Sequence, residues 1–163
     1  DAELDAAEAL VASGKVPIDE HPDVDLAVVT LPRGRRSSGH RFAHHRFAGI
    51  HPMALHAATE RSTILLVDPE EGRHRLTWRY EGWVQFRSRP IRPRVAPAPL
   101  ASELEALETG RARWTAGDPG DLAPEVAVAE DGPGSSIDPG RLARVVHRYL
   151  DAAPPAWDPY RVE

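Results

Sequence analysis

Residues 63–80 read TILLVDPEEGRHRLTWRY, and this stretch determines the kind of fold the chain can adopt. TILLV, residues 63–67, is apolar on both faces and rich in β-branched side chains, as in a strand buried within a sheet. DPEEG, residues 68–72, has the composition of a turn, and polar and apolar residues alternate in the RHRLTWRY that follows. We therefore predict two neighbouring antiparallel strands, which WVQFRS, residues 83–88, extends into an antiparallel meander.

The segments around this meander mix strand and helix patterns. DLAVVTL, residues 25–31, predicts another buried strand, and ARWTA and EVAVA are short segments that flank a turn-rich stretch. IRPRVAPAP, residues 91–99, contains too many prolines for the interior of a sheet. The expected fold class is α+β, with a mixed sheet of about five strands and the meander in its middle.

Helices are predicted to pack against this sheet. Apolar residues recur at helical spacing in residues 2–12, and Pro52 suits the first turn of a helix reading PMALHAATE. Ser102 and Glu105 have the spacing of a capping box, which predicts a helix start after the proline-rich segment. Asp138 is predicted to cap the last helix, which has a continuous apolar face.

The length and composition are those of a single domain. A chain of 163 residues can bury a core, and the lack of cysteine excludes disulfides and thiolate metal sites. We expect a linking helix and loop in residues 2–24, the core in residues 25–152 and an extended tail in residues 153–163. The chain opens on Asp1 within a helical pattern, so we expect it to be the C-terminal part of a longer chain. Because no apolar run approaches the roughly 20 residues of a membrane span, we expect a cytoplasmic protein without a membrane partner.

The net charge of -5 is unevenly distributed along the chain. Between Arg33 and Arg94, thirteen arginines and five acidic residues give a local charge of +8, whereas the remaining seven basic and twenty acidic residues give -13. A basic region of this kind attracts partners that carry phosphate. The alternative is that the acidic ends pack over the basic middle and neutralise it.

Five of the eight histidines fall in the segment GHRFAHHRFAGIHPMALHAAT, residues 39–59. A metal site there is disfavoured, because residues 26–59 contain no acidic residue and His51 and His56 do not share a helical face. Structural histidines and donors to an anion remain two equal interpretations. Within the second, His51 is favoured, because it precedes a predicted helix whose first N–H groups attract anions.

Known catalytic patterns are missing from the sequence. Ser37 and Ser38 lie beside His40 without a Gly-x-Ser-x-Gly elbow, and the chain has no Walker A loop. The pair Asp118 and Asp121 lies at a Gly/Pro turn, where solvated turn residues are the expected interpretation. We predict that this chain alone is not catalytic and contains no cofactor.

The strand VQFRS, residues 84–88, and the sequence after it resemble a known domain. A strand ending in Arg87-Ser88, then a linker, a helix and a glycine-containing loop with Gly117 and Gly120, is similar to the C-terminal substrate-binding domain of DHH-family phosphoesterases. Gln85 replaces a serine of that pattern, and the loop lacks its histidine. More loosely, DLAVVTLP, GIHPMALHAAT, WVQFRSRP and PPAWDPY resemble an uncharacterised actinobacterial family distantly related to these enzymes.

The resemblance implies an accessory domain that closes over a phosphate-bearing small molecule or short oligonucleotide. The predicted contacts are Arg87, Ser88, Arg89, His51, Gly117 and Gly120. Catalysis, with Mn²⁺ or another divalent metal, would take place on an N-terminal domain of the same chain. The alternative is a non-catalytic interaction module whose basic face binds RNA or a partner protein, and a third hypothesis is a histidine-based metallohydrolase.

Overall fold

The structure, a computed structural model, describes residues 16–31, 59, 61–78, 94–117, 125–152 and 155–157. These residues form eight strands, two α-helices and one 3-10 turn at Pro22–Val24. The strands are β1 (Ile18–His21), β2 (Leu26–Thr30), β3 (Thr63–Val67), β4 (Arg75–Trp78), β5 (Arg94–Val95), β6 (Trp114–Ala116), β7 (Glu125–Val128) and β8 (Pro155–Trp157). The helices are α1 (Pro97–Leu107) and α2 (Pro139–Ala152).

Six strands form one mixed sheet in the order β1-β2-β3-β4-β7-β6. Strands β2 and β3 are parallel, and every other neighbouring pair is antiparallel. We call the end of the sheet at which β3 begins the amino edge, and the opposite end, at which β3 finishes, the carboxyl edge. The strand directions place the ends of β1, β4 and β6 and the start of β7 at the amino edge.

Both faces of the sheet are covered, and its central strands β2 and β3 are apolar at nearly every position. All five residues of β3 are buried, and their side chains alternate between two clusters. Leu65 and Val67 pack with Leu26, Leu76 and the helices, while Ile64 and Leu66 belong to a second cluster on the other face. This arrangement explains why β3 shows an uninterrupted apolar run rather than alternation.

The N-cap of helix α1 is Ala96, six residues before the N-cap that the capping-box spacing predicts. The sequence indicated a capping box at Ser102 and Glu105, but the helix begins at Pro97, and Ser102 lies inside it. Proline is favourable in the first helical turn, because its fixed φ suits the helix and the N–H it lacks would have no partner there. The carboxylate of Glu105 instead accepts a hydrogen bond from the backbone N–H of Trp114, at 3.1 Å.

Helix α2 confirms its predicted start. The carboxylate of Asp138 accepts a hydrogen bond from the backbone N–H of Arg141 at 3.2 Å, as an N-cap residue does. Its apolar face buries Leu142, Val145 and Val146 against the sheet. The helix therefore depends on both a local cap and tertiary packing.

The α+β class and the mixed sheet are confirmed, with six strands in the main sheet rather than about five. Antiparallel pairing of β3 with β4 is also confirmed. The other neighbour of β4 is β7, which also pairs with it in antiparallel fashion. The sequence pattern also did not predict β1, which is the outermost strand on one side of the sheet.

A second, two-stranded sheet pairs β5 with β8. Residues 155–157 of the tail form β8, and Arg94–Val95 of the proline-rich segment form β5, outside the main sheet. Of the helix predicted after Pro52, the described residues include Thr59, which is helical and buried. The predicted helix at residues 2–12 and the predicted strand at residues 84–88 lie outside the described residues.

Candidate functional site

Of the six predicted ligand contacts, only Gly117 belongs to the described residues. Arg87, Ser88, Arg89, His51 and Gly120 lie outside them. Gly117 follows β6, and its backbone N–H donates to the carbonyl oxygen of Glu125 at 2.8 Å. This N–H therefore extends the β6–β7 ladder and is already used within the protein.

The amino edge of the sheet is where the two segments with the resemblance motifs begin. Strand β4 ends at Trp78, just before residues 79–93, which contain Arg87, and β6 ends just before Gly117, the first residue of the glycine-containing segment. Thr77 of β4 pairs directly with Glu125 of β7. The first segment therefore starts at β4, next to the strand β7 at which the second segment ends.

Trp78 adds a feature at this edge that the sequence did not indicate. Its side chain is buried, and its indole N–H has no hydrogen-bond acceptor among the described residues. A buried donor without an acceptor costs about 1–3 kcal/mol. The indole of Trp78 is thus a buried hydrogen-bond donor directly before residues 79–93.

The described arginines of the basic middle are engaged with other parts of the protein. The guanidinium of Arg61 lies 3.4 Å from Glu20 and 4.0 Å from Asp25, and that of Arg75 lies 3.4 Å from Glu125. Arg73 donates to the backbone carbonyls of Ala129, at 2.7 Å, and Gly132. The ion pairs of Arg61 and Arg75 therefore neutralise part of the basic middle with acidic residues from the two ends of the chain. This is the alternative that the charge distribution left open.

A pocket of about 180 Å³ lies at the carboxyl edge, between the turn after β3 and the loop before α2. Asp68 shapes the turn, because its carboxylate accepts the backbone N–H groups of Glu70 and Glu71, each at 3.1 Å. Gly72 closes the turn at φ +67°, and its carbonyl oxygen accepts the N–H of Ser135 at 2.9 Å. The pocket walls are held mainly by backbone contacts.

His74 lies under this pocket and is held in its neutral form. It is 2% exposed, and its Nδ1 accepts the backbone N–H of Asp68 at 3.0 Å, so the proton of the neutral ring is on Nε2. Burial lowers the pKa of His74 to about 4, against the opposing effect of the charges of Asp68 and Glu108. With Nδ1 occupied and Nε2 protonated, the ring has no free lone pair to act as a base or a metal ligand.

Glu108 connects the end of α1 to the same loop. Its carboxylate accepts the indole N–H of Trp114 at 2.9 Å, the N–H and the hydroxyl of Ser136 at 2.8 Å, and the hydroxyl of Ser135. Burial acts to raise the pKa of Glu108, but these hydrogen bonds together lower it. Ser135 therefore donates to a structural carboxylate and shows no Ser-His pairing of the kind a nucleophile needs.

Two neighbouring residues of the N-terminal region meet a distant residue of α2 at the surface. His21 ends β1, Asp23 lies in the 3-10 turn, and His147 lies in α2; one potential ligand atom from each lies within 4.8 Å of the others. The closest contact is 2.7 Å, between Nε2 of His147 and Oδ2 of Asp23. This hydrogen bond is the main reason that the pKa of Asp23 is lowered.

No sequence motif singles out this group. The histidines at residues 40–56 are clustered in the sequence, whereas His21 and His147 are isolated. The nearest sequence signal is the pair His21 and Asp23, two positions apart. The third residue is brought in only by the packing of α2 against the turn.

The fold and these sites define an α+β domain built on a mixed six-stranded sheet. The chain belongs to a family of unknown function, DUF6687, whose model matches residues 1–161. No curated protein and no solved structure matches the chain. Within the described part of the chain, neither helix combines the length and apolar character needed to cross a membrane.

Proposed function

We propose that this chain is the substrate-binding domain of a DHH-like phosphoesterase and holds a phosphate-bearing small molecule or short oligonucleotide. The observation that carries the proposal is that both segments begin at the amino edge of the sheet. The segment with Arg87, Ser88 and Arg89 leaves from β4, and the loop with Gly120 connects β6 to the adjacent β7. A ligand at this edge would be within reach of both.

The charges of the first segment suit an anionic ligand. Residues 79–93 contain four arginines and one acidic residue, and arginine can bind phosphate through two parallel N–H groups. The loop contributes less to the attraction, because Asp118 and Asp121 surround Gly120 and the N–H of Gly117 is already used. We therefore assign most of the binding to Arg87 and Arg89.

The remaining parts of the proposal concern what lies outside this domain. Cleavage of the phosphoester, and the Mn²⁺ or other divalent metal that supports it, would belong to an N-terminal domain of the same chain. His51 is proposed as an additional donor to the ligand. The cytoplasmic localisation derived from the sequence stays a prediction.

The experiment is a calorimetric titration of a 5′-phosphorylated dinucleotide into the wild type and Arg87→Ala. Loss of a charge-assisted hydrogen bond should weaken binding by about 1–3 kcal/mol, or roughly 5- to 150-fold. Arg111→Ala is the matched control, because Arg111 is exposed, lies three residues before β6 at the carboxyl edge, and carries the same charge. Equal affinities of the two variants would remove Arg87 from the site.

A second candidate is a basic interaction module for RNA or a partner protein. It is favoured by the local charge of +8, most of which comes from arginines outside the described side chains. Contacts to many phosphates release counterions, so affinity for a long single-stranded RNA would fall steeply with salt, while binding of a dinucleotide would fall less. Titrations of both probes across a salt series distinguish the two candidates.

A further inference from the structure

We propose that His21, Asp23 and His147 form a binding site for a divalent first-row transition metal ion such as Zn²⁺. The proposal does not rest on the phosphate-binding function. Strands β1 and β4 are three positions apart in the sheet, about 14 Å at the usual strand spacing, so the two sites are separate. A metal site at these residues was not expected from the sequence, which predicted no metal in this chain.

The three side chains are held together by the core beneath them. Val24 follows Asp23 and Val146 precedes His147, and both valines are buried in the same hydrophobic cluster. The turn itself is closed by Asp25, whose φ of 55° and N–H bond to the carbonyl of Pro22, at 3.3 Å, end the 3-10 turn. The backbone that carries the potential ligands is therefore fixed before any ion binds.

The separations suit a metal ion with small side-chain adjustments. Donors around a tetrahedral zinc ion, at bond lengths of about 2.0–2.1 Å, lie about 3.3 Å apart. Here the contact of Asp23 with His147 is 2.7 Å and the other separations lie within 4.8 Å. The rings of His21 and His147 meet edge to face at 5.4 Å, and both side chains are about one-third exposed, so an ion has access from solvent.

A fourth residue supports the orientation that a metal-binding histidine needs. Oδ2 of Asp19 lies 3.1 Å from Nε2 of His21. Histidines that bind metals usually donate their other ring N–H to a carboxylate or carbonyl, which fixes the ring and strengthens the ligand. If Nε2 of His21 donates to Asp19, Nδ1 is left as the nitrogen that can bind the ion.

The donor set selects the class of metal. Two imidazole nitrogens and one carboxylate suit zinc and its first-row neighbours, whereas calcium and magnesium prefer sites made of oxygen ligands alone. The carboxylate of Asp23 brings negative charge to the ion itself, and the carboxylate of Asp19 lies next to the ligand His21. Three protein ligands leave at least one coordination position for water or a small anion.

The test uses the full chain without a polyhistidine tag. Calorimetry with Zn²⁺ and visible absorption with Co²⁺ would be measured for the wild type, His147→Gln and Asp23→Asn. We expect each variant to bind at least about ten-fold more weakly and to lose the intensity of the Co²⁺ bands. Both residues are on the surface, and circular dichroism verifies that the variants remain folded.

The control is the double variant His44→Gln/His45→Gln, which removes two histidines of the histidine-rich segment and leaves the proposed ligands intact. It should bind Zn²⁺ as the wild type does. The proposal is overturned if His147→Gln and Asp23→Asn retain wild-type affinity, or if the double variant alone loses the Co²⁺ bands. Because Asp23→Asn removes a solvent-exposed charge, it keeps the test decisive even if His147→Gln fails to fold.

Discussion

Mild acid should destabilise this domain through the protonation of His74. The imidazole is 2% exposed, and its Nδ1 accepts the N–H of Asp68 at 3.0 Å. A proton on Nδ1 would place a positive charge in the interior and set two N–H groups against each other. Both effects disfavour the charged form in the folded state, whereas the unfolded chain can protonate this ring freely in water.

The size of the effect follows from the two pKa values of His74. The pKa is about 4 in the folded protein and 6.5 in the unfolded chain. Since the unfolded chain takes up the proton at higher pH, the free energy of unfolding falls as the pH falls from 6.5 towards 4. The full loss is about 3 kcal/mol, and about 2 kcal/mol is lost by pH 5. Against a typical stability of about 5–15 kcal/mol, this loss is measurable.

The assay is urea unfolding of the wild type and His74→Asn at about pH 7.5 and pH 5. The asparagine carbonyl can still accept the N–H of Asp68, but the side chain does not titrate. The variant should be less stable at the higher pH, because it fills less of the core, and should lose about 2 kcal/mol less than the wild type on acidification. Identical losses in the two proteins, or a pKa near 6.5 for His74 in an NMR titration, would refute the reasoning.

Two further predictions concern the contacts around the pocket. Gly72→Ala should destabilise the protein by about 2 kcal/mol or more, because φ is +67° and the added Cβ would lie 2.6 Å from a backbone oxygen. Gly132→Ala meets nothing within 4 Å, so thermal unfolding of the two variants should differ clearly, and equal melting temperatures would contradict this account. Glu108→Gln should cost about 1–3 kcal/mol in urea unfolding, since a neutral amide cannot accept all the bonds that the carboxylate accepts. Glu130→Gln is the control, because Glu130 is exposed and its substitution should change the free energy of unfolding little. An equal loss of stability in Glu130→Gln would argue against the role of Glu108 in connecting α1 to the loop before α2.

The parts of the fold predicted correctly from the sequence are those that local pattern specifies. DLAVVTL and TILLV are apolar at nearly every position, and a strand buried on both faces needs that composition. The start of α2 was predicted because Asp138 and Pro139 are local signals for capping and for the first turn. The predictions at residues 84–88 and at His51 were also local, and they lie outside the described residues.

The errors arose where a local signal competed with packing. Ser102 and Glu105 have capping-box spacing, but burial of Pro97 and Leu100 extends α1 towards its N-terminus. Strand β1 contains the polar sequence IDEH and is an edge strand whose pairing with β2 determines its conformation. The pairing of β4 with β7 is likewise decided by contacts between residues about 50 positions apart, which no short pattern reports.

The sequence by itself determined the α+β class, the central buried strands, the last helix and the uneven distribution of charge. These properties depend on which residue types follow each other, and backbone geometry converts that order into strand or helix. Only the tertiary structure decided that His21 and Asp23 meet His147, more than 120 residues away, and that His74 is buried as a neutral ring. Such groups form because burying Val24 and Val146 in one core brings their surface neighbours together, and that burial is a property of the whole packed chain.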